Sequence, residues 1–118
     1  MRPHQKLDLW RRAIEFVVSI YRTTERFPKE EKFGLTSQVR RAAVSIAANI
    51  AEGAARTSTK EFLQFLSVSQ GSASEADTEL VIACQLGYLT TKEYEHFGRE
   101  LDDIGRMITR LSQSLRRR

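Results

Sequence analysis

The chain is poor in the residues that most often carry chemistry, and each shortage removes a class of function. Cys84 is its only cysteine, which excludes an internal disulfide and any multi-cysteine zinc site. No apolar run approaches the roughly 18 residues a membrane span needs. The stretch after Met1-Arg2-Pro3-His4-Gln5-Lys6 is interrupted by charge before it can form the apolar segment of a secretory signal. These absences lead to the expectation of a cytoplasmic protein with no membrane partner. The six glycines occur singly, in neither of the common phosphate-cradling patterns, so a nucleotide site is not expected. Histidine is limited to His4 and His96. There is no strand-like alternation, no repeat of about 20–50 residues and no low-complexity segment.

What remains is an ordinary globular composition, 41% apolar and 29% charged in 118 residues, enough for a single domain over residues 1–118 with one hydrophobic core. The net charge of +4 conceals a segregation. Residues 1–60 hold 12 Lys/Arg against 6 Asp/Glu, residues 61–105 hold 2 against 9, and residues 106–118 hold 5 against none. Such a pattern suits charge pairing between helices or subunits, and equally a basic surface for polyanions.

Periodicity predicts four helices. The first runs from about Asp8 to Arg26 and stops before Phe27-Pro28, because the residue ahead of a proline is pushed out of the α region. Its apolar positions, Leu9 and Trp10 through Ile20 and Tyr21, cover an arc of about 200°, wider than the roughly 100° stripe that one bundle requires. The second helix is expected to take Thr36 as N-cap and to end near Ala54 or Ala55. Seven alanines let its neighbours approach closely. Its polar residues fall on one stripe of Arg41, Ser45, Asn49, Glu52 and Arg56, with Arg40 on another side. The third opens on a Ser58–Glu61 capping box, runs to about Leu86 and meets Gly87 as an αL cap. Its interior is interrupted by Ser69, Gly71, Ser72, Ser74 and Glu75, which lower helix propensity and call for a packing reason. The fourth follows a Thr90–Glu93 capping box, with Tyr94, Phe97, Leu101, Ile104, Ile108, Leu111 and Leu115 at alternating spacings of three and four. Short connections make successive helices antiparallel neighbours, giving an all-α, antiparallel up-down-up-down four-helix bundle.

Catalytic readings fare poorly against this frame. A di-metal carboxylate bundle needs Glu-x-x-His twice, and only Glu93-Tyr94-Glu95-His96 supplies it. Cys84 lies on an apolar face and reads as a small core residue. No nucleophile, base and orienting group can be assembled, so no catalytic residue, metal or cofactor is assigned and the chain is read as a non-enzyme. Two groups stand out instead. Arg41, Ser45 and Asn49 on the second helix would face Ser69, Ser72, Glu75 and Glu79 on the third and form a buried polar network that fixes register or subunit geometry. Arg40, Arg41, Arg56, Arg106, Arg110, Arg116, Arg117 and Arg118 are the candidate nucleic-acid contacts. A structural origin competes for the last of these, because cations complement a helix C-terminus.

The segment Phe27-Pro28-Lys29-Glu30-Glu31-Lys32-Phe33-Gly34-Leu35, continuing through Thr36 to Ile46, then Asn49-Ile50-Ala51-Glu52-Gly53 and Gly71-Ser72-x-x-Glu75, resembles the bacterial four-helix-bundle family named for proteins encoded in 23S rRNA intervening sequences. The likeness extends from Leu9-Trp10 through the fourth helix. It implies a ring-like homopentamer and a relationship to the accessory variability protein of diversity-generating retroelements, which binds nucleic acid and a reverse transcriptase. It implies no established activity. Where the family usually has a proline two residues after the motif serine, this chain has Ala47, so a proline kink in the second helix has no residue to cause it. The wide arc of the first helix and the alanine-rich second helix together ask for more burial than one bundle gives. The expected protein is a homo-oligomer, pentamer favoured, serving as a scaffold that binds RNA or DNA. The alternative is an adaptor for another protein, its arginines pairing with the acidic middle segment across subunits.

Overall fold

The four periodic segments become four helices in a computed structural model that describes residues 2–118. They are α1 (Asp8–Thr24), α2 (Leu35–Ala54), α3 (Thr59–Gln85) and α4 (Thr91–Arg116), with 3-10 turns at Pro3–Lys6 and Lys29–Glu31. No strand occurs among the described residues. None of the described helices is long and apolar enough to cross a membrane.

Contacts along each seam run in opposite directions in the two partners, as antiparallel packing requires. Between α2 and α3, Gly53 lies against Phe62 and Phe65 while Ile46 meets Ser69 and Ser45 meets Ser72. Between α3 and α4, Gln70 reaches Gly105 and Asp77 reaches Tyr94. Between α1 and α4, Arg12 pairs with Asp103, and Arg26, just past the end of α1, pairs with Glu93. The result is a four-helix bundle measuring 46 × 22 × 22 Å. Phe16, Ile20, Ile46, Ile50, Leu66, Leu80 and Ile104 fill its centre. The Phe16 and Phe97 rings meet edge to face at 5.9 Å, a favoured aromatic geometry.

Most helix ends follow the local chemistry, with two corrections. Thr90 and Glu93 form both halves of a capping box at α4, and Gly87 adopts a φ of 81° that closes α3 through Tyr88 N–H to the Ala83 carbonyl. Ser58 caps α3 by accepting from the Glu61 N–H at 3.0 Å, but the Glu61 side chain does not reach back to the Ser58 N–H, so only half of the expected box forms. The first correction is that α1 ends at Thr24 rather than Arg26. Thr24 is buried, donates to the Ile20 carbonyl at 2.7 Å and accepts from Arg40 Nε at 2.8 Å, which ties the last turn to α2. The second is that Thr36 is no N-cap. The helix opens at Leu35, whose N–H donates to Glu31 Oε1 at 3.1 Å, so a carboxylate from the preceding turn does the capping and Thr36 is buried inside the first turn. α2 continues unbroken through Ala47.

The broken middle of α3 has its packing reason. Ser69 is fully buried and donates to the Ile46 carbonyl of α2 at 2.8 Å, and Ser72 Oγ lies 2.8 Å from Ser45 Oγ. Small residues facing each other let α2 and α3 form the most extensive helix pair of the bundle.

Candidate nucleic-acid and assembly surfaces

The polar residues of α2 and α3 do come together, though not as a closed buried network. Asn49 donates to the Ser45 carbonyl at 2.8 Å and to Ser45 Oγ at 3.0 Å, so it bonds within its own helix. Ser69 satisfies itself on backbone. Arg41 and Glu75 are exposed rather than buried. They flank a groove of about 360 Å3 that Gln38, Ser45, Ser72 and Glu79 also line. Two long charged side chains at the rim stay hydrated, which is cheaper than desolvating them. Glu79 is different: only 7% of it is exposed, and its Oε1 has no hydrogen-bond partner among the described residues. Burial, then the neighbouring Glu75 charge, pushes its carboxyl above the ordinary 4.5.

The arginine candidates divide by position. Antiparallel packing gathers the start of α1, the end of α2, the start of α3 and the end of α4 at one end of the molecule. There Arg56, Arg110, Arg116, Arg117 and Arg118 are all exposed. Residues 2–12, 52–62 and 106–118, which make up this end, carry 11 of the 19 Lys/Arg but only 3 of the 15 Asp/Glu. The other end, residues 22–41 and 75–100, carries 8 against 9. Arg40 and Arg41 belong to that mixed end, away from the basic cluster. Arg40 is moreover committed within the fold: besides Thr24, it reaches the Tyr21 carbonyl at 3.3 Å and lies over the Tyr21 ring at 4.6 Å. Arg40 therefore fixes α2 to α1. Arg106 bonds Asp103 and holds its carboxyl down together with Arg12, while Arg56 bonds Glu52 at 2.9 Å and stacks over Phe65. Arg110 and Arg116 to Arg118 make no ion pair with a described side chain within 4 Å.

Among the described residues no cluster of three or more His, Cys, Asp or Glu could hold a metal ion. His96 is exposed and lies 3.1 Å from Glu100, one turn further along α4. Cys84 is half-buried against the core.

A third feature was only partly legible in the pattern of apolar residues. Among the described residues, eight large apolar side chains are exposed: Ile14, Val18 and Tyr21 on α1, Phe33 ahead of α2, Val44 on α2, Val68 and Ile82 on α3, and Leu86 just beyond it. None lies on α4. The excess width of the α1 arc accounts for the first three. Phe33, 89% exposed beneath the Lys32 ammonium, stands outside any helical period, and no spacing argument could have marked it.

A closed bundle with one basic end and three helices carrying exposed apolar residues defines a class of small four-helix-bundle proteins. The chain belongs to the 23S rRNA-intervening sequence protein family, whose model matches residues 5–110. The same fold occurs in a crystal structure from Bacteroides thetaiotaomicron, a protein with unknown function from the S23 ribosomal protein family. It is 23% identical, with 88% of this chain and 97% of that one aligned at a TM-score of 0.79. No curated protein matches the chain.

Proposed function

We propose that this protein is a cytoplasmic, non-enzymatic homo-oligomeric scaffold that binds RNA or DNA through its basic end, with a pentamer as the favoured assembly. The observation that carries the reading is the gathering of Arg56, Arg110 and Arg116 to Arg118 at one end of the bundle. Each such end is a modest phosphate-binding patch. Repeated around an oligomer, it multiplies phosphate contacts and turns weak binding into avidity. The exposed apolar side chains of α1, α2 and α3 supply the surface through which copies would meet. No aromatic residue lies within the arginine cluster at the end of α4 to stack on bases, so recognition is through phosphate and shape rather than sequence.

Binding of structured RNA and duplex DNA, titrated with salt, tests the proposal. Affinity should fall steeply as salt rises, and replacing Arg116, Arg117 and Arg118 with alanine should lower the slope of log K against log salt by about two to three. Absence of binding at low ionic strength would remove the nucleic-acid role. In that case the second reading takes over, an adaptor for another protein. It is favoured by Arg40 and Arg106, whose guanidinium groups are already engaged within the chain.

A further inference from the structure

Glu79 is buried without a partner. It is 7% exposed, and its Oε1 meets no hydrogen-bond partner among the described residues, a state that buried polar atoms rarely keep. It lines the groove of about 360 Å3 between α2 and α3, together with Gln38, Arg41, Ser45, Ser72 and Glu75. The Ser45 and Ser72 hydroxyls, 2.8 Å apart, mark one end of this groove. Gln38 stands two turns before Ser45 and Glu79 two turns after Ser72, so antiparallel packing sets those two side by side about 10 Å further along.

The charges in the groove do not balance. Glu75 and Glu79 share it with one guanidinium, that of Arg41, which makes no ion pair with a described side chain within 4 Å. α3 offers no lysine or arginine from Glu61 to Gln85. With both carboxyls ionised, one negative charge is left over. Water can give Glu79 Oε1 a hydrogen bond but not a charge. A calcium ion wants six to eight oxygen ligands, and no cluster of three or more His, Cys, Asp or Glu stands among the described residues. A primary ammonium group meets both needs, with three N–H donors and a single positive charge. The groove leaves room for a carbon chain behind the ammonium, and Ala42 gives that chain an apolar contact.

We infer that the groove between α2 and α3 is a binding site for a primary alkylammonium group, which donates to Glu79 and is balanced by Glu75. The site is independent of the nucleic-acid reading. The Gln38 amide oxygen and the Ser72 hydroxyl are further acceptors for its remaining N–H bonds. Burial without a partner also accounts for the raised carboxyl of Glu79, and a cation seated beside it brings that value back down.

n-Butylammonium is the probe. Titrated into the protein near neutral pH, it should shift the amide NMR signals of Gln38, Ser45, Ser72 and Glu79, raise the melting temperature and lower the pH at which the Glu79 carboxyl titrates. Tetramethylammonium carries the same charge without an N–H and should bind about tenfold more weakly. Glu79→Gln keeps the shape of the side chain and removes its charge, and should weaken butylammonium about tenfold or more. Glu75→Gln, at an exposed position, should weaken it less. Far-UV circular dichroism checks that both variants fold. Nα-acetyl-lysine amide separates the two sources of the same group: tighter binding than butylammonium assigns the site to a lysine side chain of a polypeptide, equal or weaker binding to a free amine. No signal shift with butylammonium, unchanged affinity in Glu79→Gln, or equal binding of tetramethylammonium overturns the inference.

Discussion

Gly53 and Gly71 both sit inside helices, for opposite reasons. A Cβ at Gly53 would lie 2.9 Å from Phe65 Cβ and 2.9 Å from the Phe62 ring. The ring can turn away, but Phe65 Cβ is fixed to the α3 backbone. Overpacking of about 1–3 kcal/mol then outweighs the gain of about 1 kcal/mol in helix propensity, so Gly53→Ala should lower the melting temperature. At Gly71 a Cβ meets nothing within 4 Å, and Gly71→Ala should raise stability by about 0.5–1 kcal/mol. Thermal unfolding of the two variants beside the parent checks both signs. Glu79 makes a pH-dependent case. Its folded carboxyl titrates above the unfolded one, so its neutral form is favoured in the fold. That contribution is complete below the unfolded value near 4.5 and is lost as pH rises through the folded one. Glu79→Gln should therefore melt higher than the parent at pH 7, and the gap should close below about pH 4.5. A gap that persists in acid would mean that burial of the charge is not its cause. The lowered carboxyl of Glu93, held down first by Arg26 and then by Thr90, has the opposite sign and loses its contribution as pH falls.

Helix ends depend on single side chains that reach across connections. At α4 the Thr90–Glu93 box satisfies two terminal N–H groups reciprocally. Thr90→Ala should cost about 1 kcal/mol in chemical denaturation with an unchanged slope. Glu31 does more. It caps Leu35 and accepts from the Tyr88 hydroxyl at 3.0 Å, so one carboxylate ties the start of α2 to the turn between α3 and α4. Glu31→Ala should cost more than Thr90→Ala, about 1.5–3 kcal/mol, because a part-buried hydrogen bond to a charge is lost together with a cap. Hydrogen exchange of the first turn of α2 would locate the effect. The sequence pattern placed a cap at Thr36 because threonine is a good capping residue. Glu31 was not legible as the capping group, since a 3-10 turn at Lys29–Glu31 is needed to bring it back over Leu35.

For the whole molecule, four amphipathic periods and short connections were enough to specify the bundle, because each helix has one face that only another helix can cover. The seam of α4, the αL cap at Gly87 and the serine-rich contact of α3 with α2 could all be read from spacing and residue type. So could the excess width of the α1 arc. Spacing alone could not tell which arginines act together: Arg40, Arg41, Arg56 and Arg110 look alike in the chain. Tertiary packing put Arg56 and Arg110 with Arg116 to Arg118 at one end, and turned Arg40 inward onto Thr24 and Tyr21. It likewise left Arg41 and Glu75 at a hydrated rim where the polar stripe alone suggested a buried network. The division has a physical basis. Periodicity is local and fixes which side of a helix is apolar, whereas the fate of a charge depends on how close another helix brings a donor, an acceptor or a ring, and only the assembled bundle sets that distance.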